Sequence, residues 1–108
     1  MTDFEKTYQN YNPRQTALDE ARALLTAAAK AAMADGALPE AELPAFIVEI
    51  PADVKNGDIA SNLAMAGART WRKAPKIIAD ALLAHLPSLE GSVFAKVEVA
   101  GPGFINLF

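Results

Sequence analysis

Apolar positions recur at helical spacing from Pro13 to Ala34, with Leu18, Ala21, Leu25, Ala28 and Ala32 on one face. Asn12 is a candidate cap, Pro13 suits the first helical position, and Gln15 sits where a capping-box side chain reaches back. Asp35-Gly36 stops this helix, Gly36 supplying a left-handed cap. Residues 1–11 show no period and are expected to form a loose N-terminal arm. The chain therefore divides into an arm, 1–11, and one domain, 12–108.

The pattern then changes period. Phe46-Ile47-Val48-Glu49-Ile50 alternates as a strand, with Phe46, Val48 and Ile50 on one face, and Pro51 ends it. Asn56-Gly57-Asp58 predicts a turn into a second helix running to about Lys73, with Asp58 as its cap. Its apolar stripe is Ala60, Leu63, Ala64, Gly67 and Trp71. Pro75 opens a third helix that reaches Pro87 through Ile78, Ala81, Leu82 and Leu86. Leu89 to Ser92 predicts a turn. Val93, Ala95, Val97 and Val99 then alternate against Phe94, Lys96 and Glu98.

Gly101-Pro102-Gly103-Phe104 predicts a turn, Pro102 at its second position and Gly103 supplying a positive φ at its third. Phe104 to Phe108 is apolar and β-prone, so the two segments form a hairpin. A strand with no polar tail leads us to expect that the chain continues beyond Phe108. The order is helix, strand, helix, helix, strand, strand. This predicts an α+β fold: a small antiparallel or mixed sheet with three main helices largely on one face.

Composition narrows the function without naming it. Hydrophobic residues make up 52% and charged residues 21%, the balance of a globular chain. There is no cysteine, which excludes disulfides and thiolate metal sites and suits a reducing compartment. No apolar run approaches the roughly 18 residues that span a bilayer, and the first residues lack a secretory pattern. A cytoplasmic protein with no membrane partner is expected. The one histidine, His85, sits near a helix end and reads as a cap or surface residue. No metal-ligand spacing, dinucleotide fingerprint or phosphate loop occurs. Gly101-Pro102-Gly103 joins two strands and opens no helix, so it lacks the geometry of an anion site. No catalytic residue, metal or cofactor is assigned to this chain.

Two features could bind a partner. The net charge is -3, yet residues 55–76 hold Lys55, Arg69, Arg72, Lys73 and Lys76 against Asp58 alone. Arg69, Arg72 and Lys73 would share one helix face. They are either a solvated helix end, favoured by the macrodipole, or a small phosphate-contacting patch. The second feature is the last strand. If Ile105 and Leu107 face the core, Phe104, Asn106 and Phe108 face outward beside Phe94. An aromatic ring beside an amide suits stacking on and reading an RNA base. The same face could instead be covered by further sequence.

Glu49-Ile50-Pro51-Ala52-Asp53, then Gly57-Asp58-Ile59-Ala60-Ser61-Asn62-Leu63-Ala64-Met65, and later Ala100-Gly101-Pro102-Gly103-Phe104-Ile105-Asn106, resemble the N-terminal additional domain of arginyl-tRNA synthetases. The resemblance covers residues 46–108 well, and residues 1–45 only in type. Ala74 stands where the family often has a capping residue, Asn56 where it often has His, and Ile59 where Tyr or Phe is common.

The resemblance implies an α+β domain preceding a class I catalytic domain that charges tRNA(Arg) with arginine, using ATP with magnesium. The HIGH-like and KMSKS-like signatures of that domain would lie beyond Phe108. It implies contact with the D-loop side of the tRNA elbow, with Phe104 stacking, Asn106 reading a base, and Arg69, Arg72 and Lys73 meeting phosphates. Gly57, Asp58, Asn62, Gly101, Pro102 and Gly103 are implied to be structural: Gly57-Asp58 as turn and cap, Asn62 bonding a neighbouring loop backbone. The alternative is a module that docks on its own catalytic domain through the same strand, without touching RNA.

Overall fold

The computed structural model describes residues 13–52 and 57–108. The predicted arm, Asn12 as cap, and Asn56 of the turn lie outside them. The elements are α1 (Pro13–Ala34), β1 (Val48–Glu49), β2 (Ile59–Ser61), α2 (Leu63–Ala66), α3 (Ala68–Trp71), α4 (Pro75–Ala84), β3 (Val97–Ala100) and β4 (Phe104–Leu107). The four strands form one antiparallel sheet in the order β1-β2-β4-β3. The α+β expectation holds, and the mixed-sheet option does not.

The inner sheet face and the helices share one core. Ile59, Ile105 and Leu107 from the sheet join Ala21, Leu25, Ala28 and Ala32 of α1, and Ile78 and Leu82 of α4. Alanines along α1 let it lie close, since a small side chain needs little space between backbones. Trp71 is fully buried against Gly67, where a Cβ would fall 2.2 Å from the indole. Only a glycine fits beneath that ring.

The largest departure lies in the segment read as one helix from Asp58 to Lys73. Its start is a central strand instead. Asp58 caps nothing: its N–H donates to the Leu107 carbonyl at 2.9 Å, and Ile59 and Ser61 pair with Leu107 and Ile105. Gly57, at φ +87°, has the Leu107 oxygen 2.7 Å from where a Cβ would sit. The helix starts four residues later, and its first N–H, from Leu63, donates to Ser61 Oγ at 3.2 Å. It breaks again at Gly67 into two single turns.

Two smaller departures follow from local hydrogen bonds. The 46–50 strand shrinks to Val48–Glu49, and Ile50 is exposed. The alternation expected from Val93 begins only at Val97. Ala95 and Lys96 both donate to the Phe108 carbonyl, at 2.7 and 3.4 Å. Two residues opposite one is a bulge, which shifts the facing of everything before it. Ser92 adds a tight turn, its Oγ accepting from the Phe94 N–H at 3.1 Å. So Phe94 is buried in the core and Val93 is exposed, the reverse of the expected facing.

The hairpin turn is closed by the Gly103 N–H donating to the Ala100 carbonyl at 3.3 Å. Gly101 thus takes the second position with φ +56°, and Pro102 takes the third, one residue out of the predicted type II register. Gly103 has a positive φ as predicted, and a Cβ there would meet Pro75 Cβ at 2.8 Å. The turn is therefore seated against the first residue of α4.

Candidate functional site

The site is built on the sheet face that carries no core. Period-two facing puts Glu49, Ala60, Asn106 and Glu98 on that outer face, and the ladder aligns all four in one cross-strand row. Phe104 and Ala100 form the next pair toward the turn. With Pro51, Ala52, Gly101 and Pro102, the residues Glu49, Ala60, Ala100, Phe104 and Asn106 line a concavity of about 420 Å³. A second, of about 210 Å³, adjoins it along Ile47, Asn62 and Met65 and shares Glu49, Ala60 and Phe104.

The chemistry of this face is uneven. Phe104 is 41% exposed, a large aromatic left open on a surface. Asn106 is 4% exposed because strands flank it on both sides. Among the described residues, no hydrogen bond engages its side-chain amide. Its amide atoms stay within reach of solvent through the concavity, whereas the fully buried side-chain polar atom without a partner among the described residues is Trp71 Nε1, in the core. Beside it, Lys96 pairs with Glu98 at 3.1 Å and lies 4.5 Å over the Phe108 ring. Phe108 does face outward, but Phe94 is absent from this surface.

Asn62 ties the edge of the site together. Its Oδ1 accepts from the Ile47 N–H at 2.7 Å, and its own N–H donates to the Ile47 carbonyl at 3.3 Å. These bonds hold the residue before β1 against the residue after β2.

Arg69, Arg72 and Lys73 do not form a helical stripe. Arg69 lies in α3, while Arg72 has left α3 in the left-handed conformation, at φ 54°. All three are exposed, and none is paired with a carboxylate among the described residues. The Gly103–Pro75 contact brings the hairpin turn beside the segment that carries them. The open aromatic and the unpaired amide thus share the outer face, and the cations lie on the segment leading into α4, against which the turn is seated.

His85 belongs elsewhere. It caps the end of α4, with Nδ1 2.8 Å from the Ala81 carbonyl and Nε2 2.9 Å from Asp35 Oδ2. Only the imidazolium can donate to both oxygens. The hydrogen bond to Asp35, then the one to Ala81, raises its pKa above the ordinary 6.5. No group of three or more His, Cys, Asp or Glu among the described residues could hold a metal. No helix there is long and apolar enough to cross a membrane.

Sequence reasoning passed over Glu49 and Ala60. By periodicity Ala60 falls in a helix stripe, and Glu49 on the polar side of a strand whose neighbour the sequence does not show. The signal available is a single β-branched residue, Ile59, two positions after Gly57, too little to outweigh the helical pattern that follows it.

A family model described as the arginyl tRNA synthetase N terminal domain matches residues 19–108. The chain is similar to proteins named arginine–tRNA ligase. It is 38% identical to that of Geobacter metallireducens, over 82% of this chain and 16% of the relative. It is 44% identical to that of Geotalea daltonii, over 79% and 15%, and 49% identical to that of Moorella thermoacetica, over 78% and 15%. The chain thus spans less than a fifth of the length of these relatives. It belongs to the family of arginyl-tRNA synthetase N-terminal domains.

Proposed function

We propose, from that membership, that the chain is the N-terminal domain of an arginine–tRNA ligase and helps recognise the D-loop side of tRNA(Arg). The ligase as a whole joins arginine to tRNA(Arg) with ATP and magnesium, in a catalytic domain outside these residues, in the cytoplasm. In this chain Phe104 stacks on an unpaired base, and Asn106 hydrogen-bonds its edge. Arg69, Arg72 and Lys73 contact phosphates and set the orientation. The observation that carries the reading is Asn106. A side chain so enclosed, opening onto a concavity beside an exposed aromatic, with its amide unpaired, is suited to a ligand that supplies both stacking and hydrogen bonds.

The test is aminoacylation of tRNA(Arg) by the intact ligase. Phe104→Ala and Asn106→Ala are each expected to lower kcat/KM for tRNA about tenfold, the scale of one lost base contact. Unchanged kcat/KM in both variants would sink the reading. The exposed side chains of Phe104 and Ile47 also favour a second reading, in which this face docks on the catalytic domain. Docking predicts that Phe104→Ala lowers the melting temperature of the ligase. RNA contact predicts that it does not.

A further inference from the structure

Two of the cations proposed to meet phosphates stand on a short bridge that is fixed at both ends. Arg72, Lys73 and Ala74 are exposed and join α3 to α4. Before them, Trp71 is fully buried. Its ring occupies the space that a Cβ on Gly67 would need, and its backbone N–H donates to the Gly67 carbonyl at 2.8 Å. After them, Pro75 is pressed against Gly103, where a Cβ would fall 2.8 Å from Pro75 Cβ and 3.2 Å from its carbonyl carbon. Ala74 is held as well, its carbonyl accepting from the Ile78 N–H at 3.1 Å. A bridge of three residues between two such seats has little freedom left.

Two adjacent features of this stretch work against the stability of the fold. Trp71 Nε1 is buried without a partner among the described residues, where a phenylalanine ring would bury no polar atom. Arg72 takes φ 54°, and no other non-glycine residue among those described has a positive φ. An arginine keeps that conformation only where its surroundings impose it, and such positions gather where placement serves function.

The charges say what the placement serves. Residues 59–79 contain no Asp or Glu. Arg72, Lys73 and, one residue past the second seat, Lys76 are exposed and form no ion pair among the described residues. One long cationic side chain can reach a phosphate from many backbone positions. Several reaching successive phosphates together gain from a backbone ordered in advance, because less is left to order on binding.

We infer that Trp71 and Gly103 are positioning residues for RNA binding. They seat the two ends of the bridge so that Arg72, Lys73 and Lys76 meet the sugar–phosphate backbone as one set. The inference rests on the proposed phosphate contact, to which it adds Lys76 and the two seats, and it does not require that any base be read.

The experiment measures the Kd of the intact ligase for tRNA(Arg) across a range of salt, beside the melting temperature of each variant. Ala74→Gly removes no contacting side chain and frees the backbone between the seats. Glycine starts a helix better than alanine, so the melting temperature should hold or rise while binding weakens about threefold. Trp71→Phe keeps a ring in place, removes the unpaired N–H, and should weaken binding by a similar factor without lowering the melting temperature. Gly103→Ala displaces Pro75 and should weaken binding about tenfold; where it fails to fold, the other two variants decide. Lys76→Gln should make the slope of log affinity against log salt shallower by about one phosphate contact. A Kd equal to wild type in Ala74→Gly or Trp71→Phe, or an unchanged slope in Lys76→Gln, overturns the inference. Arg72→Gln and Lys73→Gln separate the two levels. If they flatten the slope while Ala74→Gly and Trp71→Phe bind as wild type, the positioning alone fails. If neither flattens it, the phosphate contact and the inference fail together.

Discussion

The two faces of β4 are opposite in kind. Ile105 and Leu107 point inward, are fully buried, and meet apolar neighbours on every side. Asn106 lies between them, almost as enclosed, and points to the face without helices. Strands flank it on both sides, yet its side-chain amide has no partner among the described residues. The inner face is covered by the chain's own helices, and the outer face is left open. Burial alone does not separate the two cases. What lies over each side chain does: the helices cover Ile105 and Leu107, and an open concavity faces Asn106.

The sharpest way to break this contrast is to truncate each face in turn. Ile105→Ala should lower the stability of the domain by about 3 kcal/mol in urea titration, from lost burial and an unfilled cavity. Asn106→Val should leave stability unchanged or raise it by up to about 1 kcal/mol, since a β-branched side chain suits a sheet and the unpaired amide is gone. The same variant should lose kcat/KM for tRNA(Arg). If Asn106→Val destabilises as much as Ile105→Ala, the outer face is structural and the contrast fails.

A finer test concerns Arg72. A side chain held at φ 54° costs about 1 kcal/mol relative to glycine. Arg72→Gly should therefore stabilise the domain by about that amount while binding tRNA less well. The slope of log affinity against log salt should become shallower by about one phosphate contact. An unchanged slope would assign Arg72 to the solvated surface.

The smallest effect belongs to His85, at the C-terminal end of α4. Its folded pKa is raised by Asp35 and Ala81, so the clasp between the ends of α1 and α4 is fully present below 6.5. It is lost as pH rises through the raised value. Wild-type melting temperature should decline over that interval, and Asp35→Asn should flatten the decline. Equal slopes would show that the clasp contributes nothing measurable.

What was legible in the sequence followed distance along the chain. The helix to Ala34 and the one opened by Pro75 are set by neighbours three and four positions away, and both form. The 99–105 hairpin is set by its turn residues, and it forms with the turn one residue out of register. Ile59-Ala60-Ser61 is not legible as a strand because its ladder partners are a two-residue strand about a dozen residues earlier and β4, more than forty residues later, and nothing local opposes a helix there. Phe94 was misplaced because a bulge is invisible to a period-two pattern. The outward facing of Phe104 and Asn106 could be read from alternation. The row that joins Asn106 to Glu49 could not, because it needs β2 to lie between them.

The strand order also sets a schedule. β4, residues 104–107, separates β2 from β3 and supplies the carbonyl that seats Gly57. As the ribosome releases the chain, α1, β1 and β2 emerge long before the strand that joins them to the rest. Until then β1 and β2 share only a two-residue ladder, too little to persist in water. The Ala-rich face of α1 has no finished surface to rest on during that interval. Synthesis must pass residue 107 before the sheet can close, so the nascent domain spends most of its translation as an open chain, exposed to chaperones and proteases alike.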